Sequence, residues 1–350
     1  MKKKIKTAIA GYGVVGKKRH FYLKQNPNFS VVAICDQNKD NFDTKYHQIN
    51  FFESYKKLLS MDLDAVFICM SNDMAAEVTI AFLKNNINVF CEKPPARNLK
   101  ELKKVIIQEK KNPNIKLMYG FNHRYHDSVQ EALKIIKSNK LGKIINIKGS
   151  YGKSQLITFN QTTWRTKRSI AGGGVLLDQG IHIVDLIRLF IGEIIEVKSF
   201  ISNNFWKFDV EDNAYAILRT SKNVYAIIHS SATQWRHRFN LEINLTKGSL
   251  ILEGILSGSK SYGEEKLTIV QANPFKDNGN PKEKIIKYVN DPSWKKEIQN
   301  FADIIKNNKS VVQSSSTDAA NCMKVIYDIY SGDKNWKKKF KINNTSHFFE

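Results

Sequence analysis

Six residues near the start of the chain, Gly11-Tyr12-Gly13-Val14-Val15-Gly16, restrict its fold more than any other feature. They stand between an apolar run over residues 5–10 and a helical pattern over 14–25. A glycine triad of this spacing arises often by chance, but directly after a strand and at a helix start it has a mechanical reading. Gly11 permits a tight turn, Gly13 lets backbone approach a diphosphate, and Gly16 lets helix and strand pack closely. The helix N-terminus then faces the negative charge. Gly11, Tyr12, Gly13, Val14, Val15 and Gly16 are therefore candidate dinucleotide contacts. Asp36 lies twenty residues past Gly16, at the end of the second apolar run. A carboxylate there accepts from both ribose hydroxyls and repels a 2′-phosphate. Gln37 and Asn38 follow, so no arginine waits for that phosphate, and NAD is expected in preference to NADP.

The first 120 residues alternate apolar runs (5–10, 31–35, 65–70, 88–91, 116–121) with helical patterns (14–25, 55–60, 74–85, 99–111). That is the grammar of βαβ units and a parallel sheet buried on both faces. After Asn122 the grammar changes. A helix over 128–138 leads to a strand over 144–151, then to a glycine-rich helix start at Gly172-Gly173-Gly174. Runs over 194–202, 214–220, 224–231, 241–245, 249–252 and 267–270 follow closely enough to read as antiparallel neighbours. Helices over 293–307 and 316–330 close the pattern. The expected fold class is α/β, with a Rossmann NAD-binding domain over 1–122 and an α+β domain over 123–350.

Composition excludes several classes. Cys35, Cys69, Cys91 and Cys322 form no C-x-x-C pair, and three of them end apolar runs, as buried thiols in a reducing compartment do. No metal site is expected. No apolar run approaches the ~20 residues of a membrane span, and the basic start lacks an apolar core and cleavage site. A cytoplasmic protein without a membrane partner is expected. The formal net charge of +22 is spread along the chain, and abundant Lys with Asn fits an AT-rich coding sequence. With no helix-turn-helix or aromatic RNA-binding signature, nucleic acid is not an expected partner. The basic stretch 335–341 reads as a solvated terminus.

Two further patches carry chemistry. Glu92 and Lys93 stand at the carboxyl end of a parallel strand, the edge where open α/β sheets bind ligands. A lysine there can donate to a substrate oxygen and stabilise charge as hydride moves. Asp178, His182 and Asp185 are spaced to share one face of a regular helix. Leu176, Leu177, Ile181, Ile183 and Val184 make that helix a buried one, where an unsatisfied carboxylate or imidazole is costly. A histidine so placed can exchange a proton near neutral pH.

Taken in order, the glycine loop, Asp36, Asp64-Ala65-Val66, Glu92-Lys93-Pro94, Gly120-Phe121-Asn122-His123-Arg124-Tyr125 and Asp178-x-x-x-His182-x-x-Asp185 resemble the glucose–fructose oxidoreductase/inositol dehydrogenase (Gfo/Idh/MocA) family of NAD(P)-dependent oxidoreductases. The resemblance covers essentially the whole chain. It implies that Lys93, Asp178 and His182 form the catalytic group: the lysine assists proton removal, the histidine is general base or acid, and the aspartate binds substrate and orients the site. It implies that Ser71, Asn72 and Glu92 line the nicotinamide side, and that Arg124, Tyr151, Trp164 and Arg165 join the substrate pocket. It implies a second domain with an open, predominantly antiparallel sheet for substrate binding and oligomerisation, commonly in homodimers or homotetramers. One departure stands out. The family usually has Pro-Asn-x-x-His after the fourth strand, whereas Ser71-Asn72-Asp73-Met74-Ala75 keeps only the asparagine.

The implied activity is NAD-dependent hydride transfer between the nicotinamide and a secondary alcohol or ketone of a sugar or sugar derivative, free, phosphorylated or nucleotide-linked, with surface-polysaccharide precursors as the preferred context. The alternative is a non-catalytic NAD-binding regulator on the same fold, against which the Lys93–Asp178–His182 set argues. Arg124, Arg165, Lys167, Arg168, Arg236 and Arg238 are candidates for receiving an anionic substrate. Loops 153–163 and 203–209 should set specificity, and Phe205-Trp206-Lys207-Phe208 reads either as a cover for a sugar face or as a subunit contact.

Overall fold

The chain begins as alternating strand and helix: β1 (Ile5–Ala10), α1 (Val14–Gln25), β2 (Phe29–Cys35), β3 (Asn50–Phe52), β4 (Ala65–Ile68), α2 (Asn72–Lys84), β5 (Asn88–Cys91), α3 (Leu99–Lys111) and β6 (Leu117–Tyr119). This is a computed structural model describing residues 3–43, 46–156, 163–257, 261–273, 275–277 and 279–342. The six strands pair in parallel in the order β3-β2-β1-β4-β5-β6. That is the doubly wound order of dinucleotide-binding sheets, which reverses between β1 and β4. Ile9, Ile34, Val66, Phe67, Val89 and Phe90 are wholly buried, as strands covered on both faces require. The sequence reading omits β3, whose three half-buried or exposed residues are too few to carry a period.

The later elements are α4 (Asp127–Lys137), β7 (Ile144–Gly152), α5 (Arg168–Ala171), a π-helical turn (Leu176–Gly180) running into α6 (Ile181–Ile191), β8 (Ile194–Ser202), β9 (Asn213–Thr220), β10 (Tyr225–Ser231), β11 (Arg238–Leu245), β12 (Gly248–Glu253), β13 (Glu265–Gln271), β14 (Lys282–Tyr288), α7 (Ser293–Lys306), α8 (Ser316–Gly332) and α9 (Lys334–Lys339). Eight strands form a second sheet in the order β14-β13-β12-β11-β7-β10-β9-β8. It is predominantly antiparallel, with one correction to the expected pairing. β10 and β11 are not neighbours: β7 lies between them, parallel to β10 and antiparallel to β11. The connection after β10 passes the end of β7, where Lys153 N donates to Ser231 O and Gln234 N to Lys153 O. Spacing along the chain cannot distinguish such a crossing from a hairpin. One sheet face is covered, with Ile147, Ile228, Leu241, Ile243 and Leu250 buried and α6 packed on β7 and β10. On the other face Phe200, Tyr215, Ile217, Tyr225 and Ile227 are each at least 47% exposed.

Two further expectations need amending. The sequence reading omits β14, whose KEKIIKY sequence is mostly charged. The stretch 335–341 carries a capped helix, α9, in which Asp333 accepts from Trp336 N and Trp336 is buried, while Asn335, Lys338, Lys339 and Lys341 stay exposed as expected.

By contacts the chain divides into two units. The first comprises Met1–Asn122, Ser169–Gly172 and Trp294–Ala320; the second comprises His123–Arg168, Gly173–Ser293 and Asn321–Glu350. A single boundary at Asn122 therefore leaves out the segment carrying most of α7, which belongs with the parallel sheet. Its Phe301 meets Phe67 and Phe90 edge-on at 5.6 Å each. Its Glu297 pairs at 2.7 Å with Arg19 on α1, a wholly buried guanidinium whose Nε also donates to Glu92 at 2.6 Å. The same guanidinium lies over Phe90 at 4.4 Å and Trp294 at 4.2 Å. Burial opposes its charge, but Glu92 and Glu297 outweigh burial and hold its pKa above the ordinary value. Removing one member of such a set strands the others. Arg19→Met is expected to lower the unfolding free energy in urea by about 3–5 kcal/mol. The exposed control Lys17→Met should change it by less than about 0.5 kcal/mol.

Candidate active site

In the first unit the loops after β1, β2, β4 and β5 all leave the carboxyl edge of the parallel sheet. Gly11 has φ +92°, and a Cβ there would fall 2.5 Å from Cys69 O. A Cβ on Gly16 would fall 2.0 Å from Gly11 O, so strand and helix meet through these two glycines. Gly13 differs: its Cβ would meet nothing within 4 Å. Gly13 is the N-cap of α1, no side chain caps that end, and no acidic residue occupies the first turn. Orphan N–H groups beside open space suit a diphosphate. Asp36 is pinned next to them, with Oδ2 accepting from Tyr12 N at 2.6 Å and Oδ1 from Asn38 N at 2.9 Å and Asn41 Nδ2 at 3.1 Å. A carboxylate offers about four acceptor positions, so capacity for ribose hydroxyls remains. A cavity of about 450 Å³ adjoins, bordered by Tyr12, Lys17, Asp40, Phe42, Asp43 and Tyr46. These residues fit a dinucleotide.

After β4, Ser71 Oγ donates to Asp73 Oδ1 at 2.5 Å and Asn72 Nδ2 to Ala171 O at 2.7 Å. The departure from the family pattern thus leaves Asn72 buried and bonded. After β5, Arg19 grips the Glu92 carboxylate from within, and half-buried Lys93 follows it.

In the second unit the π turn carries Asp178, and α6 carries His182 and Asp185. The turn is anchored by Glu211, whose carboxylate accepts from Gly174 N at 2.7 Å, Leu176 N at 3.0 Å and Tyr330 Oη at 2.7 Å. Burial pushes the Glu211 carboxyl pKa up. A π turn shifts the phase of a helix, so the regular-helix argument does not describe these side chains. Each meets its own partner. Asp178 accepts from Lys153 Nζ at 3.0 Å and lies 3.5 Å from Arg165 Nε. The His182 ring stacks on His123, centroids 3.7 Å apart and planes 13° apart. Asp185 takes two bonds from Arg124, at 2.7 and 2.6 Å, in a buried fork. Of the remaining expected pocket residues, buried Tyr151 has its hydroxyl 3.3 Å from His123 Nε2, and Arg165 lies over the Trp164 ring at 4.3 Å. Arg168 lies over Phe340 at 4.3 Å.

Residues 157–162 of the first expected specificity loop lie outside the described residues. In the second, Trp206 Nε1 donates to Ala232 O at 2.7 Å, and Trp206 and Phe208 pack on Leu156, Val175 and Val210, while Phe205 stays exposed. Sequence reasoning missed Arg19, Lys153, Glu211 and the His123 stack. Only Glu211-Asp212 carried a signal, as paired acids directly after Val210. Among the described residues no group of three or more His, Cys, Asp or Glu is placed to hold a metal, and no helix is long and apolar enough to cross a membrane.

Comparison with known proteins agrees with both units. The profile of the oxidoreductase family with an NAD-binding Rossmann fold (GFO_IDH_MocA) matches residues 5–121, and the GFO/IDH/MocA C-terminal domain matches residues 129–251. Levoglucosan dehydrogenase of Pseudarthrobacter phenanthrenivorans is 34% identical over 142 residues, 40% of this chain and only 36% of that protein. Myo-inositol 2-dehydrogenase of Thermotoga maritima is 23% identical over 263 residues, 72% of this chain and 76% of that protein. The structure of levoglucosan dehydrogenase with NADH and levoglucosan has a TM-score of 0.84 at 20% identity, covering 95% of this chain and 98% of that one. A mutant 3-ketoreductase from Actinomadura kijaniata, in complex with TDP-benzene and NADP, has a TM-score of 0.79 at 19% identity, with the same coverage of 95% and 98%. Such identities speak for the fold, while the two profiles in sequence order speak for descent: the chain belongs to the GFO/IDH/MocA family of oxidoreductases.

Proposed function

We propose that this chain is an NAD-dependent dehydrogenase that moves hydride between the nicotinamide and a secondary alcohol or ketone of a sugar or sugar derivative. The observation that carries the reading is the uncapped start of α1 at Gly13, open to solvent and flanked by Asp36. Asp36 favours NAD over NADP, and the neighbouring cavity carries two carboxylates, Asp40 and Asp43, against one cation, Lys17. The names of the levoglucosan and myo-inositol relatives support a carbohydrate or polyol substrate.

Bound NAD would supply the hydride acceptor, with Ser71, Asn72 and Glu92 lining its nicotinamide side. Lys93 donates to the reacting substrate oxygen and stabilises charge developing there. His182 takes the hydroxyl proton during oxidation and returns it during reduction. Asp178, balanced by Lys153 and Arg165, accepts from substrate hydroxyls, and Trp164 with Arg165 borders them. Tyr151 supports the histidines through His123. Arg124, committed to Asp185, holds α6 in place instead of receiving an anion. A cytoplasmic location, and a homodimer or homotetramer built on the exposed sheet face, complete the reading.

Nicotinamide reduction by purified protein across free sugars, polyols, sugar phosphates and nucleotide sugars tests the proposal. Turnover is expected with one class, with NAD preferred to NADP by about tenfold or more in kcat/KM. Lys93→Met should lower kcat by about 10²–10⁴-fold. Tight NAD binding without turnover on any class would favour the non-catalytic regulator. The glycine loop gives a separate check. Gly13→Ala is expected to leave the unfolding midpoint nearly unchanged but to weaken NAD binding at least about tenfold, as read by calorimetric titration. Gly16→Ala should instead lower the midpoint, because its Cβ falls 2.0 Å from Gly11 O.

A further inference from the structure

We propose that His123 is a positioning residue for His182: the two imidazoles, stacked face to face, carry at most one positive charge between them, so that charge on His123 opposes protonation of the base while the stack fixes its ring plane. The proposal rests on the reading of His182 given above. The rings are 3.7 Å apart at 13°, and the residues are only 6% and 5% exposed. Protonating both would put like charges in contact where water screens little. His123 is itself immobilised. Its Nε2 shares a hydrogen bond with the Tyr151 hydroxyl at 3.3 Å, and the rings of His126 and Phe239 stand edge-on at 5.5 and 5.9 Å. Burial keeps the Tyr151 hydroxyl protonated by pushing its pKa far up.

The charges that face this pair are balanced elsewhere. Beside it in the same turn, Arg124 is committed to Asp185, which also accepts from Cys322 of α8. His126 is 2.8 Å from Glu265 of β13 and 3.8 Å from Asp291. Although burial opposes ionisation, the bonds from His126 and Ser128 keep the Glu265 carboxyl below the usual carboxylate range. From the π turn, Asp178 is balanced by Lys153 and Arg165. From the connection between β12 and β13, Tyr262 meets the Tyr151 ring at 5.2 Å, the His237 ring at 5.3 Å and the Gln179 amide. The His123 ring lies directly on the His182 ring, with the Tyr151 ring 6.5 Å from it.

His123→Phe keeps the flat wall and removes the second titrating ring. With the repulsion gone, His182 gains its proton at a higher pH. The His182 ring titration, followed by NMR of nitrogen-labelled protein, and the acid limb of kcat/KM are both expected to move up by about 1 pH unit. His123→Asn removes the wall as well, and kcat is expected to fall about tenfold at every pH. NAD binding and the unfolding midpoint report folding of each variant. A His182 titration that stays within about 0.2 pH unit of the parent in both variants would overturn the proposal. Full turnover by His182→Asn would overturn the functional reading instead, and because the ring titration needs no turnover the two failures are separable.

Discussion

The buried ion set of Arg19, Glu92 and Glu297 is the constraint on which the nucleotide-binding unit depends. One guanidinium joins the helix with the uncapped N-terminus at Gly13, the strand end that presents Glu92 and Lys93, and a helix nearly three hundred residues further along the chain. A buried charge persists only where its partners are held with it. The rings of Phe90 and Trp294 pack on the guanidinium, and Phe301 ties α7 to the sheet nearby. The chain returns to its first unit because that charge has to be satisfied, and the return fixes the carboxylate beside Lys93.

In the second unit a carboxylate does comparable work through hydrogen bonds, with Arg168 nearby. Glu211 gathers two backbone N–H groups and the Tyr330 hydroxyl at the mouth of the π turn. The turn then delivers Asp178 to Lys153 and Arg165, and α6 delivers His182 to His123 and Asp185 to Arg124. Asp178 and Asp185 each accept from a cation, which is the condition for burying carboxylates, while His182 packs its ring on His123. A straight helix with the same sequence would have turned Asp178 by a different amount relative to His182.

What was legible in the sequence follows from range. The glycine loop and Asp36 were readable because the chemistry prescribes residue type, spacing and element together. α1, α3 and β8 keep the expected bounds because their patterns are local and long, and β5 keeps them as a short run of apolar residues. β3 and β14 escaped because one is three residues long and the other mostly charged. The insertion of β7 between β10 and β11 is a long-range pairing that turn spacing does not report. Arg19 looked like one more cation in the run Lys17-Lys18-Arg19 of a strongly basic chain, and only tertiary burial sets it apart. Asp178 and His182 were legible through a family pattern, whereas Lys153 and the His123 stack depend on contacts the pattern does not contain.

Hydride transfer itself is the central claim, and isotope transfer tests it most directly. With substrate deuterated at the reacting carbinol carbon, the account predicts that the reduced nicotinamide recovered after turnover carries the deuterium and that turnover slows with the label. Reduced nicotinamide free of deuterium, formed from a substrate fully labelled at that carbon, would contradict it.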